Sequence, residues 1–226
     1  MQKSRPFACV TVLGLLALAA CGGSKGSSSP STPTSPTTPT TPTNRSPVIN
    51  SMNFAPGFGI AQLTQFNFNA SASDPDGDVV SYAWDVAGNS FSGTNGSITF
   101  SSGGNGTARV TVTDSKGASA TDTRSFVVGS GTGRWTGSWD VWVFTSNLTQ
   151  NGGILIGDYA DQLGAGRLDP AVANTIDANG NVRLRYKQAV FSDFTFTGIM
   201  DSTGRRITGV VNGSGYTNTP FTMTKQ

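Results

Sequence analysis

The stretch Ser71–Val86, SASDPDGDVVSYAWDV, places an Asp-Pro-Asp-Gly-Asp segment directly before an alternating apolar run. Proline fixes φ at the second position of a turn, aspartate side chains bond nearby backbone N–H groups, and glycine accepts a positive φ. After the turn, Val80, Tyr82, Trp84 and Val86 share one face of a strand, because successive side chains alternate. The stretch therefore predicts antiparallel β-structure with Trp84 in its core.

The same aspartates raise the question of a metal or catalytic site. An EF-hand loop starting at Asp74 would need glycine at its sixth position and a bidentate acid at its twelfth. The sixth residue here is Val79, and Pro75 stands second, so an EF-hand is excluded. Exposed turn carboxylates also give no reason for two pKa values to separate, which argues against paired-carboxylate catalysis.

Period-two alternation extends along most of the chain and predicts an all-β protein with two domains, residues 47–129 and 132–226. A glycine-rich break at Gly129–Gly133 separates them. In the first domain, Trp84 is expected to pack against Phe68, Val110, Val112 and Phe126 in a small sandwich. The strands predicted there are Phe66–Ser71, Val79–Val86, Ser97–Phe100, Ala108–Asp114 and Thr121–Val128.

The first domain resembles the PKD family of immunoglobulin-like domains. The matching segments are Asn44–Val48, Ser73–Asp78, Tyr82–Asp85, Val110–Asp114 and Lys116–Ala118. The resemblance implies an immunoglobulin-like β-sandwich. It is not complete, because the family usually follows Trp-Asp with Phe-Gly-Asp-Gly and this chain has Val-Ala-Gly-Asn.

Some PKD domains bind Ca²⁺ near this turn, and the resemblance implies Asp74, Asp76 and Asp114 as candidate ligands of a structural Ca²⁺. Carboxylate oxygens suit this hard cation. A turn without a metal explains the same residues, so both interpretations stay open. No other cofactor is expected.

The second domain is predicted to be an antiparallel meander that closes into a small β-barrel, because closure removes exposed strand edges. Its opening Gly133-Arg-Trp135 resembles the start of lipocalin and avidin-like barrels. After an opening strand at Arg134–Phe144, the predicted strands are Gly153–Tyr159, Gly164–Leu168, Val182–Lys187, Phe194–Met200, Ile207–Val211 and Phe221–Lys225.

Aromatic residues of this domain are candidates for a ligand site at the barrel mouth or for its core. Those four residues are Trp139, Trp142, Phe144 and Tyr159. Read as one continuous strand, the opening segment puts Trp135, Gly137, Trp139, Val141 and Val143 on one face and Trp142 and Phe144 on the other.

A further strand presents three cations on one face, Arg183, Arg185 and Lys187. Such a stripe is typical of a solvated outer face, and an anionic glycan or lipid head group is the alternative.

The N-terminus predicts export and lipid attachment. Lys3 and Arg5 precede an apolar run too short for a permanent span, and Leu18–Cys21 resembles the lipobox of bacterial lipoproteins. We therefore expect a signal peptide at residues 1–20 and lipid on Cys21. Residues 21–46 form a Ser/Thr/Pro-rich stalk, and the outer membrane or cell surface is the expected location.

Composition excludes several kinds of function. The chain has no histidine, and all thirteen acidic residues are aspartate. Catalysis by Ser-His-Asp or Cys-His groups and histidine-ligated zinc are therefore excluded. Removing Lys3 and Arg5 with the signal peptide leaves thirteen basic and thirteen acidic residues, and this balance argues against nucleic acid as a partner. Cys9 leaves with the signal peptide and Cys21 carries lipid, so no disulfide is expected.

These features predict a non-catalytic, surface-anchored lipoprotein that presents the barrel to a protein, glycan or small apolar ligand. Two alternatives remain open from the sequence. A protease inhibitor would use exposed loops such as Leu163–Ala173, and an accessory or hydrolytic domain of a secreted enzyme system would need aspartate, lysine or tyrosine chemistry.

Overall fold

The computed structural model describes residues 42–187 and 193–226. The predicted signal peptide, Cys21 and the stalk as far as residue 41 lie outside the described residues. In the described part, all regular structure is β, as predicted. None of the described residues forms a helix that is long and apolar enough to cross a membrane.

Residues 44–129 form two facing sheets, which we call the sandwich. One sheet has the order β1-β3-β6, and the other has the order β2-β8-β7-β4-β5, with β2 parallel to β8. The strands are β1 (Val48–Ala55), β2 (Phe58–Ile60), β3 (Gln65–Ser73), β4 (Val80–Val86), β5 (Asn89–Ser92), β6 (Asn95–Thr99), β7 (Gly104–Asp114) and β8 (Ser119–Gly129).

The sandwich core confirms the central position predicted for Trp84. Its ring lies 4.7 Å from that of Phe68, between the two sheets, and Val110, Val112 and Phe126 belong to the same buried cluster. The indole Nε1 donates a hydrogen bond to the carbonyl of Gly93 at 3.0 Å, so burial of the tryptophan leaves no unpaired donor there.

Residues 133–226 form a closed antiparallel barrel with eight strand positions around its wall. Two short strands, β12 and β13, occupy successive parts of one position, since both pair with β11 and β14. The strands are β9 (Gly133–Trp139), β10 (Trp142–Asn151), β11 (Ile154–Asp161), β12 (Gly164–Leu168), β13 (Thr175–Ile176), β14 (Asn181–Lys187), β15 (Phe194–Met200), β16 (Arg206–Gly213) and β17 (Tyr216–Lys225). Pairing of β17 with β9 closes the barrel.

Side chains fill the barrel interior. Aromatic rings form a connected network through Trp139, Phe144, Tyr186 and Phe196, with centroid separations of 5.1–5.9 Å. Gly137 faces this network, and a Cβ on it would lie 2.3 Å from the ring of Phe144. Glycine in the middle of β9 therefore provides the space that the ring needs.

The predicted facing of the opening segment is wrong beyond Trp139. A two-residue turn at Asp140–Val141 reverses the chain, so that Trp139 pairs with Trp142. Val141 and Val143 are consequently 77% and 51% exposed, and Phe144 lies inside. The turn has no glycine and Asp140 adopts a φ of 49°, so the usual sequence signal for a tight hairpin is missing.

The segment Leu163–Ala173, which the inhibitor alternative takes as a loop, is a loop only in part. Its residues Gly164–Leu168 form β12, which pairs with β11 and β14, and Leu168 and Asp169 are buried, whereas most of the other residues are exposed. The three cations on β14 lie on the outer face, as predicted. Arg185 forms ion pairs there with Asp169 and Asp193.

One end of the barrel is covered by the sandwich. Ile60, at the end of β2, is fully buried and belongs to the barrel core. The buried amide of Gln150 donates to the carbonyl of Ala61 at 2.7 Å and accepts from the N–H of Gly131 at 2.8 Å. These contacts join the sandwich, the connecting segment and the barrel.

Candidate functional site

The turns at the other end of the barrel build a pocket. These are the β9–β10, β11–β12 and β16–β17 turns. The Asp161 carboxylate shapes the second of them by accepting bonds from the N–H groups of Leu163 at 2.8 Å and Gly164 at 3.1 Å. In the third, Ser214 has a φ of 49°, and Gly215 follows it at 90°.

The pocket has a volume of about 160 Å³ and is lined by aromatic and small polar groups. Its lining residues are Trp139, Trp142, Asp161, Leu163, Phe194, Ser214 and Tyr216. They stand at the ends of five strands or in the turns that follow them, so the barrel scaffold fixes the positions of the aromatic rings and of Asp161.

Two tryptophans and a tyrosine form the aromatic part of the pocket. The rings of Trp139 and Trp142 are stacked at 6.3 Å with an interplanar angle of 23°. The indole Nε1 of Trp142 donates a hydrogen bond of 2.7 Å to the hydroxyl of Tyr216. This bond joins the first residue of β10 to the first residue of β17 and orients both rings.

The indole nitrogen of Trp139 is the unusual group of the pocket. The side chain is 4% exposed, and its Nε1–H is buried without an acceptor among the described residues. Buried donors are nearly always paired in folded proteins, so an unpaired donor on a residue that lines the pocket is unusual.

Among the described residues, the pocket lining contains one carboxylate and no cation. Two tyrosines lie nearby in the barrel interior, and burial raises the pKa of each. For Tyr159, the charges of Asp161 and Asp193 raise the pKa further. For Tyr186, burial outweighs the hydrogen bond with Ser146. Both phenols therefore stay protonated at neutral pH.

The structure separates the four aromatic candidates into two pairs. Trp139 and Trp142 line the pocket, whereas Phe144 and Tyr159 are buried in the barrel core. Sequence reasoning did not include Tyr216, because the last strand was expected to begin only at Phe221. The Gly213-Ser-Gly215 segment before it is a turn signal that places a strand start there.

The aspartate turn of the sandwich forms a second candidate site. One carboxylate oxygen from each of Asp74, Asp76 and Asp78 lies within 4.8 Å of the others. Asp74 accepts bonds from the N–H groups of Asp76 and Asp78, as expected for a turn. Ion pairs with Arg45 and Lys116 compensate the charges of Asp76 and Asp78.

These ion pairs have electrostatic consequences. Hydrogen bonds from the side chain and backbone of Arg45 lower the pKa of Asp76. A hydrogen bond with Asp78 raises the pKa of Lys116.

Asp114, the third predicted metal ligand, is the last residue of β7 and is buried. Burial opposes its ionisation, but hydrogen bonds from Asn44 and from the N–H groups of Lys116, Ala118 and Gly117 outweigh this effect and lower its pKa.

The oxygen groups around the turn fit a hard cation. Asn44 Oδ1 and Asp74 Oδ2 are buried oxygens without a hydrogen-bond donor among the described residues. Together with Asp76 and Asp78 they offer the all-oxygen ligand chemistry that Ca²⁺ prefers. Asp114 touches this set through Asn44, whose amide nitrogen donates to it at 3.0 Å.

The profile of the PKD domain matches residues 44–128. The PKD1 domain of Vibrio anguillarum Epp is 34% identical, and the match covers 38% of this chain and 96% of that one, with a TM-score of 0.31. The chain belongs to the PKD family. A PKD1 domain from the Vibrio cholerae metalloprotease PrtV is 26% identical over 37% of this chain and 98% of that one, with a TM-score of 0.32. The predicted PKD resemblance is thus confirmed.

Likeness beyond the PKD domain is weaker. A structure described as one of the carbohydrate-binding modules from the β-sandwich superfamily matches 82% of this chain and 93% of its own, at 15% identity and a TM-score of 0.37. This likeness does not identify a ligand. No curated protein sequence matches the chain.

Proposed function

We propose that this PKD-family protein is a non-catalytic binding module whose ligand enters the pocket at the open end of the barrel. The observation that carries the proposal is the Trp139–Trp142–Tyr216 wall, because small-ligand sites are mostly apolar concavities with a few placed polar groups. The rest of the barrel interior is packed with side chains. The space open to a ligand is therefore this shallow pocket at the barrel end and not a deep cavity.

Binding fits the pocket chemistry better than catalysis does. The part of the lining that the structure describes has a single carboxylate, and hydrolysis by paired carboxylates needs two. Asp161 also uses its Oδ1 to hold the β11–β12 turn. The nearby tyrosines have raised pKa values, which makes them poor bases at neutral pH.

The position of the pocket suits a tethered receptor. We propose that lipid on Cys21 holds the protein in the outer membrane or at the cell surface, as the lipobox-like sequence suggests. An extended stalk of about 24 residues would reach roughly 70 Å at 3.1 Å per residue. Because the sandwich covers one barrel end through Ile60 and Gln150, the ligand pocket lies at the opposite end.

We also propose that a structural Ca²⁺ binds the aspartate turn of the PKD domain. The ion would take oxygen atoms from Asp74, Asp76 and Asp78 and from the amide of Asn44, with Asp114 orienting that amide. Bound Ca²⁺ would fix the N-terminal entry of the sandwich to its β3–β4 turn. The pocket proposal does not depend on this ion.

A ligand screen on paired variants tests the binding proposal. Compounds from a small-molecule library are scored by the rise they cause in the melting temperature of the wild-type chain and of Trp142→Ala. Val141→Ala is the matched control, because Val141 is exposed in the same turn and does not line the pocket. We expect compounds that stabilise wild type and Val141→Ala but not Trp142→Ala. A screen in which every stabilising compound acts equally on all three proteins contradicts the proposal.

A further inference from the structure

A second cavity lies where the covered end of the barrel meets the sandwich. It has a volume of about 260 Å³, and its walls are the start of β7, the ends of β8 and β17, Ser130 and the β15–β16 turn. The turn packs closely on β8, since a Cβ on Gly204 would lie 2.8 Å from the Cα of Gly129. This junction cavity shares no lining residue with the pocket at the open barrel end.

Lys225 reaches the junction cavity from an inward-facing position of β17. The alternating residues Phe221 and Met223 of this strand are buried in the barrel core. Lys225 follows in the same alternation and pairs with the buried Trp135 of β9. Its ammonium group donates to the carbonyl of Ser130 at 2.9 Å and lies 5.6 Å from the centre of the Trp135 ring. The strand period therefore brings a cation to the covered end of the barrel.

A second cation lines the same cavity. Arg205 follows the β15–β16 turn, and its guanidinium group donates to the backbone carbonyl of Lys225 at 3.3 Å. Burial lowers the pKa of Lys225, and the positive charge of Arg205 lowers it further. The carbonyl of Ser130 and the ring of Trp135 offer the ammonium group only partial negative charge. The cavity wall thus holds two cations that repel each other.

None of the described carboxylates compensates these two cations. The thirteen acidic side chains of the chain are all aspartates within the described residues, and none of them forms an ion pair with Arg205 or Lys225. Asp201 lies in the turn before Arg205, but its Oδ1 accepts from the hydroxyl of Thr203 at 2.6 Å. The α-carboxylate of Gln226 likewise forms no ion pair with either cation among the described contacts. Partly buried charges are usually paired, so a counter-ion is missing here.

The chemistry of the two cations selects the counter-ion. Ammonium and guanidinium groups donate hydrogen bonds and accept none. A carboxylate, sulfate or phosphate group carries at least two acceptor oxygens, so it can accept from both cations and offset their repulsion. A neutral ligand would leave that repulsion in place. Cavities of about 150 Å³ hold a benzene molecule, so a volume of about 260 Å³ has room for a small oxyanion.

We propose that the junction cavity is a binding site for a small oxyanion held between Arg205 and Lys225. The bound ion would join the β15–β16 turn to the end of β17 and so stabilise the barrel end that contacts the sandwich. This site goes beyond the proposed binding function, and the pocket at the open barrel end does not depend on it.

The backbone amide signals of the ¹⁵N-labelled full chain test the proposal. The protein is kept in a polyoxyethylene detergent and a chloride buffer without oxyanions. Sodium phosphate, sulfate or acetate then replaces sodium chloride at constant ionic strength, so that general salt effects stay the same. Ser130 and Gly204 report on the cavity that they line. Gly93, in the β5–β6 turn of the sandwich, is the reference signal.

We expect at least one of the three oxyanions to shift the Ser130 and Gly204 signals saturably at millimolar concentration, with Gly93 unchanged. Arg205→Gln and Lys225→Met should each weaken this binding about tenfold, because each removes a charged donor. Arg206→Gln is the matched control. It removes the neighbouring exposed cation, which does not line the cavity, and should leave the affinity unchanged.

Thermal unfolding gives a second readout at the same ionic strength. The oxyanion that binds should raise the melting temperature of wild type and Arg206→Gln above the value in chloride, because it binds the folded state. The rise should be smaller in Arg205→Gln, whose exposed side chain is not needed for folding. An equal rise in all three proteins would be a general effect of the salt and would overturn the proposal.

The remaining outcomes also decide the matter. If no oxyanion shifts the cavity signals saturably, the site does not exist. If the shifts occur with equal affinity in Arg205→Gln and Lys225→Met, the ion is adventitious only and the proposal is wrong. Trp142→Ala should bind the oxyanion as wild type does, so a failure of the ligand screen on that variant leaves this site untouched.

Discussion

The replacement Ile60→Ala tests whether the sandwich and the barrel are stabilised by one shared contact. Ile60 lies in β2, which pairs with β8 and so belongs to the sandwich. Its fully buried side chain, however, belongs to the barrel core. Replacing a buried isoleucine by alanine costs about 2–5 kcal/mol. Phe58 and Leu63 are only partly buried beside it and can shift into the space, so we expect a cost of about 3 kcal/mol.

Thermal and urea unfolding measure this cost. For a protein of this size, about 3 kcal/mol lowers the melting temperature by roughly 6–12 °C. Fluorine-labelled tryptophan reports both parts separately, because Trp84 lies in the sandwich core and Trp135 in the barrel core. We expect both signals to shift to lower urea concentration together. The matched control is Ile156→Ala, whose side chain is 59% exposed and whose loss should cost about 0.5 kcal/mol.

A shift confined to the Trp84 signal would refute this reasoning. It would mean that Ile60 stabilises the sandwich alone and that the barrel end is stable without it. An Ile60→Ala cost no larger than that of Ile156→Ala would refute it as well, because the contact would then contribute nothing measurable to the free energy of unfolding.

Four further predictions follow from other parts of the chain. Gly137→Ala should lower stability by about 1–3 kcal/mol in urea unfolding, because its Cβ would overlap the Phe144 ring; an unchanged midpoint would contradict this. Asp114 has a lowered native pKa, so its stabilising contribution is complete above about pH 4 and disappears as the pH falls through that pKa. Asp114→Asn should therefore be less stable than wild type at pH 7, with the gap closing near pH 2; a gap independent of pH contradicts the assignment. Millimolar CaCl₂ should raise the melting temperature of wild type but not of Asp78→Asn, and an equal rise in both would place the ion elsewhere. Cys21→Ser should abolish incorporation of an alkyne-labelled fatty acid and move the protein from the membrane to the soluble fraction; unchanged membrane attachment contradicts lipidation at this residue.

The fold was predictable where local rules and the final structure agree. The Asp-Pro-Asp-Gly-Asp turn and the alternation around Trp84 are local signals, and the facing strand residues Val110 and Val112 follow the same period. In the barrel, turns that contain glycine, such as Asp201–Gly204, marked strand ends correctly.

The turn at Asp140–Val141 could not be read from the sequence. It is a two-residue hairpin in which a non-glycine residue takes a positive φ, and tertiary pairing of Trp139 with Trp142 imposes it. One unrecognised reversal changes which face the later residues of the same segment occupy. Read as one continuous strand, the segment puts Val143 on the face of Trp139 and Phe144 on the opposite face, whereas in the structure Phe144 is buried and Val143 is exposed.

The candidate pocket was predictable only in part for a related reason. Aromatic side chains in β-domains look alike in sequence whether they fill a core or line a surface, so Trp142 and Tyr159 could not be separated. Their roles depend on how far each lies along the barrel axis, and barrel closure by β9 and β17 decides that. The burial of Ile60 in the barrel depends on contacts between residues distant in sequence and has no local signal at all.

A crystal structure with a bound ligand tests the central claim most directly. The protein would be crystallised with the compound that stabilises wild type but not Trp142→Ala. The account predicts that the ligand lies against Trp139, Trp142 and Tyr216 in the barrel pocket. A ligand bound on the outer barrel face or on the PKD domain, with the pocket holding only water, would contradict it.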